Sequence, residues 1–131
     1  MSNPLYAFPA ACEQTLRALA RYPERTAFSW PGGSITYRGA TDMIGRMQAV
    51  FMQLGFEPGT RVAFLTANRA DTWCAGVAAQ LSRLATTFLH PLGSLDDQLF
   101  HLEDSEAQML VVDGVTFRDR GGELAARASS L

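Results

Sequence analysis

The run Arg61-Val62-Ala63-Phe64-Leu65-Thr66 is apolar from its second residue to its fifth, with no alternation. Such a run is too short for a helix and has no polar face, so it predicts a strand covered on both sides by other elements. Both neighbours of the run have helical spacing. From Arg38 to Leu54 the apolar positions Ala40, Met43, Ile44, Met47, Val50, Phe51 and Leu54 recur at three and four residues. From Asn68 to Leu84, Trp73, Val77, Leu81 and Leu84 stand among Ala75, Gly76, Ala78 and Ala79, small residues that let another backbone come close. Two further strands are expected, Thr86 to Leu89 and Met109 to Asp113. Strands joined through helices imply parallel pairing with right-handed crossovers, hence an α/β, layered, mostly parallel sheet. At 131 residues the chain is one domain's worth. A chain of that size buries roughly two-thirds of the surface its unfolded form exposes.

Local signals fill in the rest. Ala10 to Ala20 carries Cys12, Leu16, Leu19 and Ala20 at helical spacing, and Pro23 stops that helix. An N-terminal β-hairpin follows, Ala27–Trp30 against Ser34–Tyr37, with Pro31-Gly32-Gly33 as its turn. Gly55 offers a left-handed helix end, Phe56 can fold back on the last turn, and Pro58-Gly59 turns the chain. Asn68 is expected to cap the next helix, with Asp71 reaching back. Ser94 and Asp97 fit a capping box ahead of the stripe Leu95, Leu99 and Leu102. From Phe117 to Ala128 a weaker helix is expected to be interrupted at Gly121-Gly122.

Composition removes several partners. All eleven basic residues are arginines, scattered without a run, and the formal net charge is −2, so no nucleic-acid surface is expected. MSNPLYAFPAACEQTLRAL lacks a basic segment followed by an apolar one, the mark of an export signal, and no stretch reaches the ~20 apolar residues of a membrane span. Cys12 and Cys74 match no metal or redox spacing; two reduced, buried thiols fit the cytoplasm. The methionines of the Arg38–Leu54 face are expected to pack as core.

Residues 88–104, FLHPLGSLDDQLFHLED, are the obvious place to look for chemistry. In the helical reading Asp97 and His101 share a face, Asp104 lies three residues beyond, and His90 precedes a proline. Such a set is drawn easily as a metal or acid–base centre. Asp96 and Asp97, however, sit where any helix end welcomes negative charge, so the structural reading is preferred. A small metalloenzyme using His90, Asp97 and His101 is the rival, and loss of bound metal in His101→Ala would mark it. No phosphate loop, dinucleotide fingerprint, nucleophile elbow or HExxH is present, and there is no lysine. No catalytic, cofactor-binding or metal residue is therefore assigned.

The ordered segments ALARYPERTAFSWPGGSITY, LGFEPGTRVAFLTANRADTW and TFLHPLGSLDDQLFHLEDSEAQMLVVD resemble the N-terminal portion of acyl-CoA synthetases in the adenylate-forming, AMP-binding superfamily. HPLGSLDD is most similar to mycobacterial fatty-acid–CoA ligases. The resemblance covers roughly residues 10–128. It implies a parent enzyme that uses ATP with Mg2+ to convert a fatty or other carboxylic acid to acyl-AMP, then transfers the acyl group to coenzyme A. The family's glycine-rich loop ending in Lys-Gly, its Tyr-Gly-x-Thr-Glu segment, ribose-binding Asp and catalytic Lys match no position here. Two departures stand out: Thr36-Tyr37 continue as Arg38-Gly39-Ala40 without the usual glutamate, and Leu84-Ala85 replace a usual glycine. The resemblance thus implies that residues 1–131 are a single N-terminal scaffold subdomain, inactive alone, with the rest of the ligase as partner. If any residues here approach substrate, they are those of the strand-end loop His90 to Gly93, because ligands gather at carboxyl ends of parallel strands; the structural reading of that loop is preferred. A free-standing interaction or regulatory module is the alternative. Self-association is expected of a fragment that exposes apolar surface.

Overall fold

A computed structural model describes residues 10–131; the reading of residues 1–9 as free of an export signal lies outside them. The elements are α1 (Ala11–Arg21), β1 (Thr26–Trp30), β2 (Gly33–Thr36), α2 (Tyr37–Gln53), β3 (Arg61–Leu65), α3 (Ala70–Leu81), β4 (Ala85–Phe88), α4 (Leu95–Asp104), β5 (Met109–Val112) and α5 (Arg118–Arg127). β1 and β2 form the antiparallel hairpin, and β3 lies between β4 and β5, parallel to both. The expected α/β layering is therefore present.

β3 explains why the sheet needs two covers. Val62 and Phe64 enter a core with α1, α2 and α3, while Ala63 and Leu65 enter a second core with α4 and α5. All four are fully buried. Burial of each of the three larger side chains stabilises the fold by about 1.5–3 kcal/mol. α3 is covered almost all round, with Cys74 to Ala79 buried, as its small residues predict. Among the described residues no helix is long and apolar enough to cross a membrane.

Several local expectations are corrected. Asn68 does not cap α3: Arg69 occupies the cap position without a side-chain capping bond, so the helix opens at Ala70. The Thr72 hydroxyl, inside the first turn, donates to the Ala67 carbonyl at 3.0 Å or to that of Arg69 at 2.9 Å, which ties the helix start to the preceding loop but caps no N–H. Asp71 is held by Arg69 and does not reach back. α3 ends at Leu81, and Arg83 with φ 63° turns the chain so that Leu84 is buried from outside the helix. Trp73 is 39% exposed, its ring 5.1 Å from that of Phe28. Cys74 is buried but Cys12 only half-buried, and both are free thiols. Phe56 stays exposed, although Gly55 does take the left-handed conformation with φ 70°. Half of the capping box forms: Ser94 Oγ accepts from the Asp97 N–H at 3.1 Å, but the Asp97 carboxylate takes the Ser94 hydroxyl at 2.6 Å. α5 runs unbroken through Gly121-Gly122, because the missing Cβ of Gly121 lets the helix close on Val112.

Candidate functional site

Parallel pairing brings the carboxyl ends of β3, β4 and β5 together, and three loops leave from that edge. The loop after β5 is built on Asp113, a buried carboxylate at the end of an apolar strand. One oxygen accepts from the Val115 N–H at 2.9 Å and the Thr116 N–H at 3.3 Å. The other accepts from the Thr116 hydroxyl at 3.0 Å and from the Ala67 N–H at 3.4 Å, which ties this loop to the one after β3. Arg69 Nε lies 3.8 Å away. Burial alone would raise the Asp113 pKa, but these donors outweigh it and hold the carboxyl below its ordinary value. Asp71 is also held low, first by the bidentate bond from Arg69.

Beside this bracket lies an open trough of about 410 Å³, lined by Met47, Thr66, Thr72, Ala75, Asp113 and Arg118 among others. A hollow of about 330 Å³ shares Met47 and Asp71 with it and extends along α2 past Met43 and Val50.

The loop after β4 contains His90 to Gly93. The Gly93 N–H donates to the His90 carbonyl at 3.0 Å, and the Leu92 N–H to His90 Nδ1 at 3.1 Å. Accepting there requires an unprotonated Nδ1, so the neutral ring carries its proton on Nε2. His101 is elsewhere: its Nε2 bonds the Thr87 hydroxyl at 2.8 Å. Asp97 is committed to Ser94, and Asp96 and Asp104 are exposed. The fold therefore does not bring the histidines and aspartates of this stretch into one centre. Among the described residues no group of three or more His, Cys, Asp or Glu could hold a metal ion. With Asp71 and Asp113 taken by Arg69 and the loop donors, these residues do not fit a magnesium ligand set.

Four rim residues escaped the sequence reading: Asp113, Arg69, Gln98 and Arg120. Asp113-Gly114 followed by Thr116 is an Asx-turn signal that points to the first. Gln98 sits inside the stripe of Leu95, Leu99 and Leu102, a polar residue at a core position. Nothing local marks Arg69 or Arg120.

A parallel sheet covered on both faces, with its loops gathered at the carboxyl edge, places the chain among open-sheet α/β proteins. Residues 16–130 match the family described as AMP-binding enzyme, and the chain belongs to that family. It is 30% identical over 115 residues to the medium/long-chain-fatty-acid–CoA ligase FadD8 of Mycobacterium tuberculosis, a match that covers 87% of this chain and 20% of that enzyme. The chain thus spans about a fifth of the curated relative's length. Among solved structures, coronafacic acid ligase from Pectobacterium brasiliense superposes with TM-score 0.83 at 13% identity, over 92% of this chain and 24% of that one. O-succinylbenzoate coenzyme A synthetase from Bacillus subtilis, solved with ATP and magnesium ion, gives TM-score 0.72 at 25% identity, over 87% of this chain and 34% of that one.

Proposed function

We propose that this chain is the N-terminal scaffold subdomain of a cytoplasmic fatty-acid–CoA ligase. The 30% identity to FadD8 across 87% of the chain carries that reading. In the full ligase a carboxylate attacks the α-phosphorus of ATP with Mg2+ present, pyrophosphate leaves, and coenzyme A thiolate then displaces AMP from the acyl-adenylate. Positioning and charge stabilisation are the protein's part in such a reaction. This chain supplies a rigid floor with a carboxyl-edge rim, while the groups that hold phosphate and metal come from the rest of the ligase. Among the described residues both outer strands of the sheet have a free edge, and Phe88 (52% exposed), Leu92, Phe100 and Val115 are large apolar side chains in the open. Such surface supports a fold completed by further polypeptide, and in the isolated chain it favours self-association.

The test is ATP–pyrophosphate exchange over a panel of fatty and aromatic acids, run on the native gene product and on residues 1–131 alone. Exchange by the native product and none by the isolated chain is expected. Exchange by the isolated chain overturns the scaffold role. A native product no longer than this chain, without exchange, overturns the ligase reading and leaves a regulatory module.

A further inference from the structure

Arginines that are scattered in sequence gather where α1 turns into β1. Tyr22 ends α1, and the guanidinium carbon of Arg25 lies 4.2 Å from the centre of its ring, that of Arg21 5.6 Å. Attraction of a cation to the ring quadrupole thus orders two long side chains that are both exposed. The turn beneath them is held by three backbone bonds. The Arg25 N–H donates to the Tyr22 carbonyl at 3.0 Å, the Tyr37 N–H to the Arg25 carbonyl at 2.8 Å, and the Arg38 N–H to the Pro23 carbonyl at 2.9 Å. Glu24, the carboxylate of this turn, is already taken: Arg38 Nη2 and Nε donate to its Oε1 at 2.6 and 3.1 Å. Among the described residues the ion pairs engage Arg38, Arg61, Arg69 and Arg127, so neither Arg21 nor Arg25 has a carboxylate partner. Residues 1–9 contain no Asp or Glu to supply one. Arg17 stands one turn back on the same face of α1 and is also outside these pairs. Like charges held beside one another repel, and an anion that bridges them offsets the repulsion. In a chain of net charge −2 this local excess of positive charge does not follow from composition.

We infer that Arg21 and Arg25, arranged around Tyr22, bind a phosphate group, with Arg17 adding attraction from one turn away. A phosphate monoester carries close to two negative charges and three acceptor oxygens, which match two forked donors better than a singly charged carboxylate does. Inorganic phosphate and the headgroup of an acidic phospholipid both present that chemistry. None of these residues lines either hollow near the carboxyl edge, so the site is separate from the one described above. It does not depend on the ligase reading.

Two binding assays on the native gene product test the inference, each read as a difference from the unsubstituted protein. One is equilibrium dialysis against radiolabelled inorganic phosphate at constant ionic strength. The other is co-sedimentation with phosphatidylcholine vesicles made with and without phosphatidic acid. Arg21→Gln and Arg25→Gln are each expected to weaken binding about fivefold, and the double substitution to remove most of it. Tyr22→Leu keeps both charges but releases the guanidinium groups, and should weaken binding about two- to fivefold. Arg83→Gln, which removes an exposed arginine that is also outside the ion pairs, leaves binding unchanged. All these side chains are exposed, and thermal unfolding beside the parent verifies that the variants fold. Saturable dialysis binding that needs Arg21 and Arg25 assigns free phosphate as the ligand. Arginine-dependent sedimentation with phosphatidic acid, without saturable phosphate binding, assigns the lipid headgroup. Absence of binding in both assays overturns the site, as does binding that Arg21→Gln and Arg25→Gln leave intact. An equal loss in Arg83→Gln reduces the effect to net charge and overturns it too. Binding by Tyr22→Leu at the parent level overturns the part given to the ring. Neither assay involves ATP or a carboxylic acid, so failure of the ligase reading leaves these outcomes as they stand.

Discussion

The two adjacent glycines of α5 are expected to respond oppositely to the same substitution. A Cβ at Gly121 would lie 2.7 Å from Val112 Cγ2 and 2.8 Å from Cγ1, whereas one at Gly122 meets nothing within 4 Å. Carbon atoms in contact prefer separations of roughly 3.5–4.0 Å, so the first substitution demands close to an ångström of movement. Val112 is stiff at χ1 and is itself a strand residue, so α5 must shift away from β5. Overpacking of this kind costs about 1–3 kcal/mol, offset by the helix preference of alanine over glycine, about 0.8–1 kcal/mol. With two contacts far inside the limit, Gly121→Ala is expected to destabilise by about 1–2 kcal/mol, while Gly122→Ala stabilises by about 0.4–1 kcal/mol. The gap of about 2 kcal/mol separates the two melting temperatures by roughly 5–10 °C in a chain of this size. Urea and thermal unfolding of the two variants beside the parent chain measure it. A Gly121→Ala chain as stable as the parent, or a Gly122→Ala chain less stable, refutes the packing account of why α5 is continuous.

Burial, and to a lesser degree the Asp71 charge, push the Cys74 thiol up to about 11 from an ordinary 9.0. The unfolded thiol therefore ionises first, stability falls as pH rises from about 9 towards 11, and Cys74→Ala flattens that limb of a stability-versus-pH curve. Asp113 has the opposite sign: its lowered pKa contributes stability above the ordinary 3.8 that is lost as pH falls through the folded value. Asp113→Asn is expected to cost about 1–3 kcal/mol at neutral pH and to shrink the acid-side slope, read by denaturant unfolding at several pH values. Ser94→Ala removes the bond to the Asp97 N–H and should cost about 1 kcal/mol, with faster amide exchange confined to the first turn of α4.

Most of the architecture was legible because short-range chemistry and the global fold agree. The unalternating run at β3 demanded cover on both faces and has it, and the small residues of α3 demanded close neighbours and have them. The hairpin turn fell where Gly32 takes φ 96°. Misreadings occurred where two local options compete at a helix end. Asn68 carries a capping oxygen, but the chain leaving β3 puts Arg69 at the cap position, and the Thr72 hydroxyl ties the first turn down by donating to loop carbonyls instead. The order β4-β3-β5 and the joining of the carboxyl-edge loops depend on contacts between distant positions: Asp113 meets Ala67 46 residues away, and Arg120 meets Gln98 at a separation of 22. No window of sequence contains such pairs.

Residues that break a local rule in this chain lie on or beside one structure. Gly121 is a poor helix residue, Gln98 a polar residue in an apolar stripe, and Asp113 a carboxylate buried at a strand end. Such conflicts are expected where function outweighs local preference. Their geometry connects them. Gly121 lets α5 close on Val112, and Val112 ends the strand that Asp113 follows. The closeness of α5 sets where Arg120 stands, and Arg120 with Gln98 fixes the Gly93 turn. The carboxyl-edge rim is therefore positioned from behind, by the distance between α5 and β5. A Gly121→Ala chain that remains folded should accordingly show faster amide exchange at Gly93 as well as a lower melting temperature. Normal exchange at Gly93 in that variant would mean that the turn holds its place without α5.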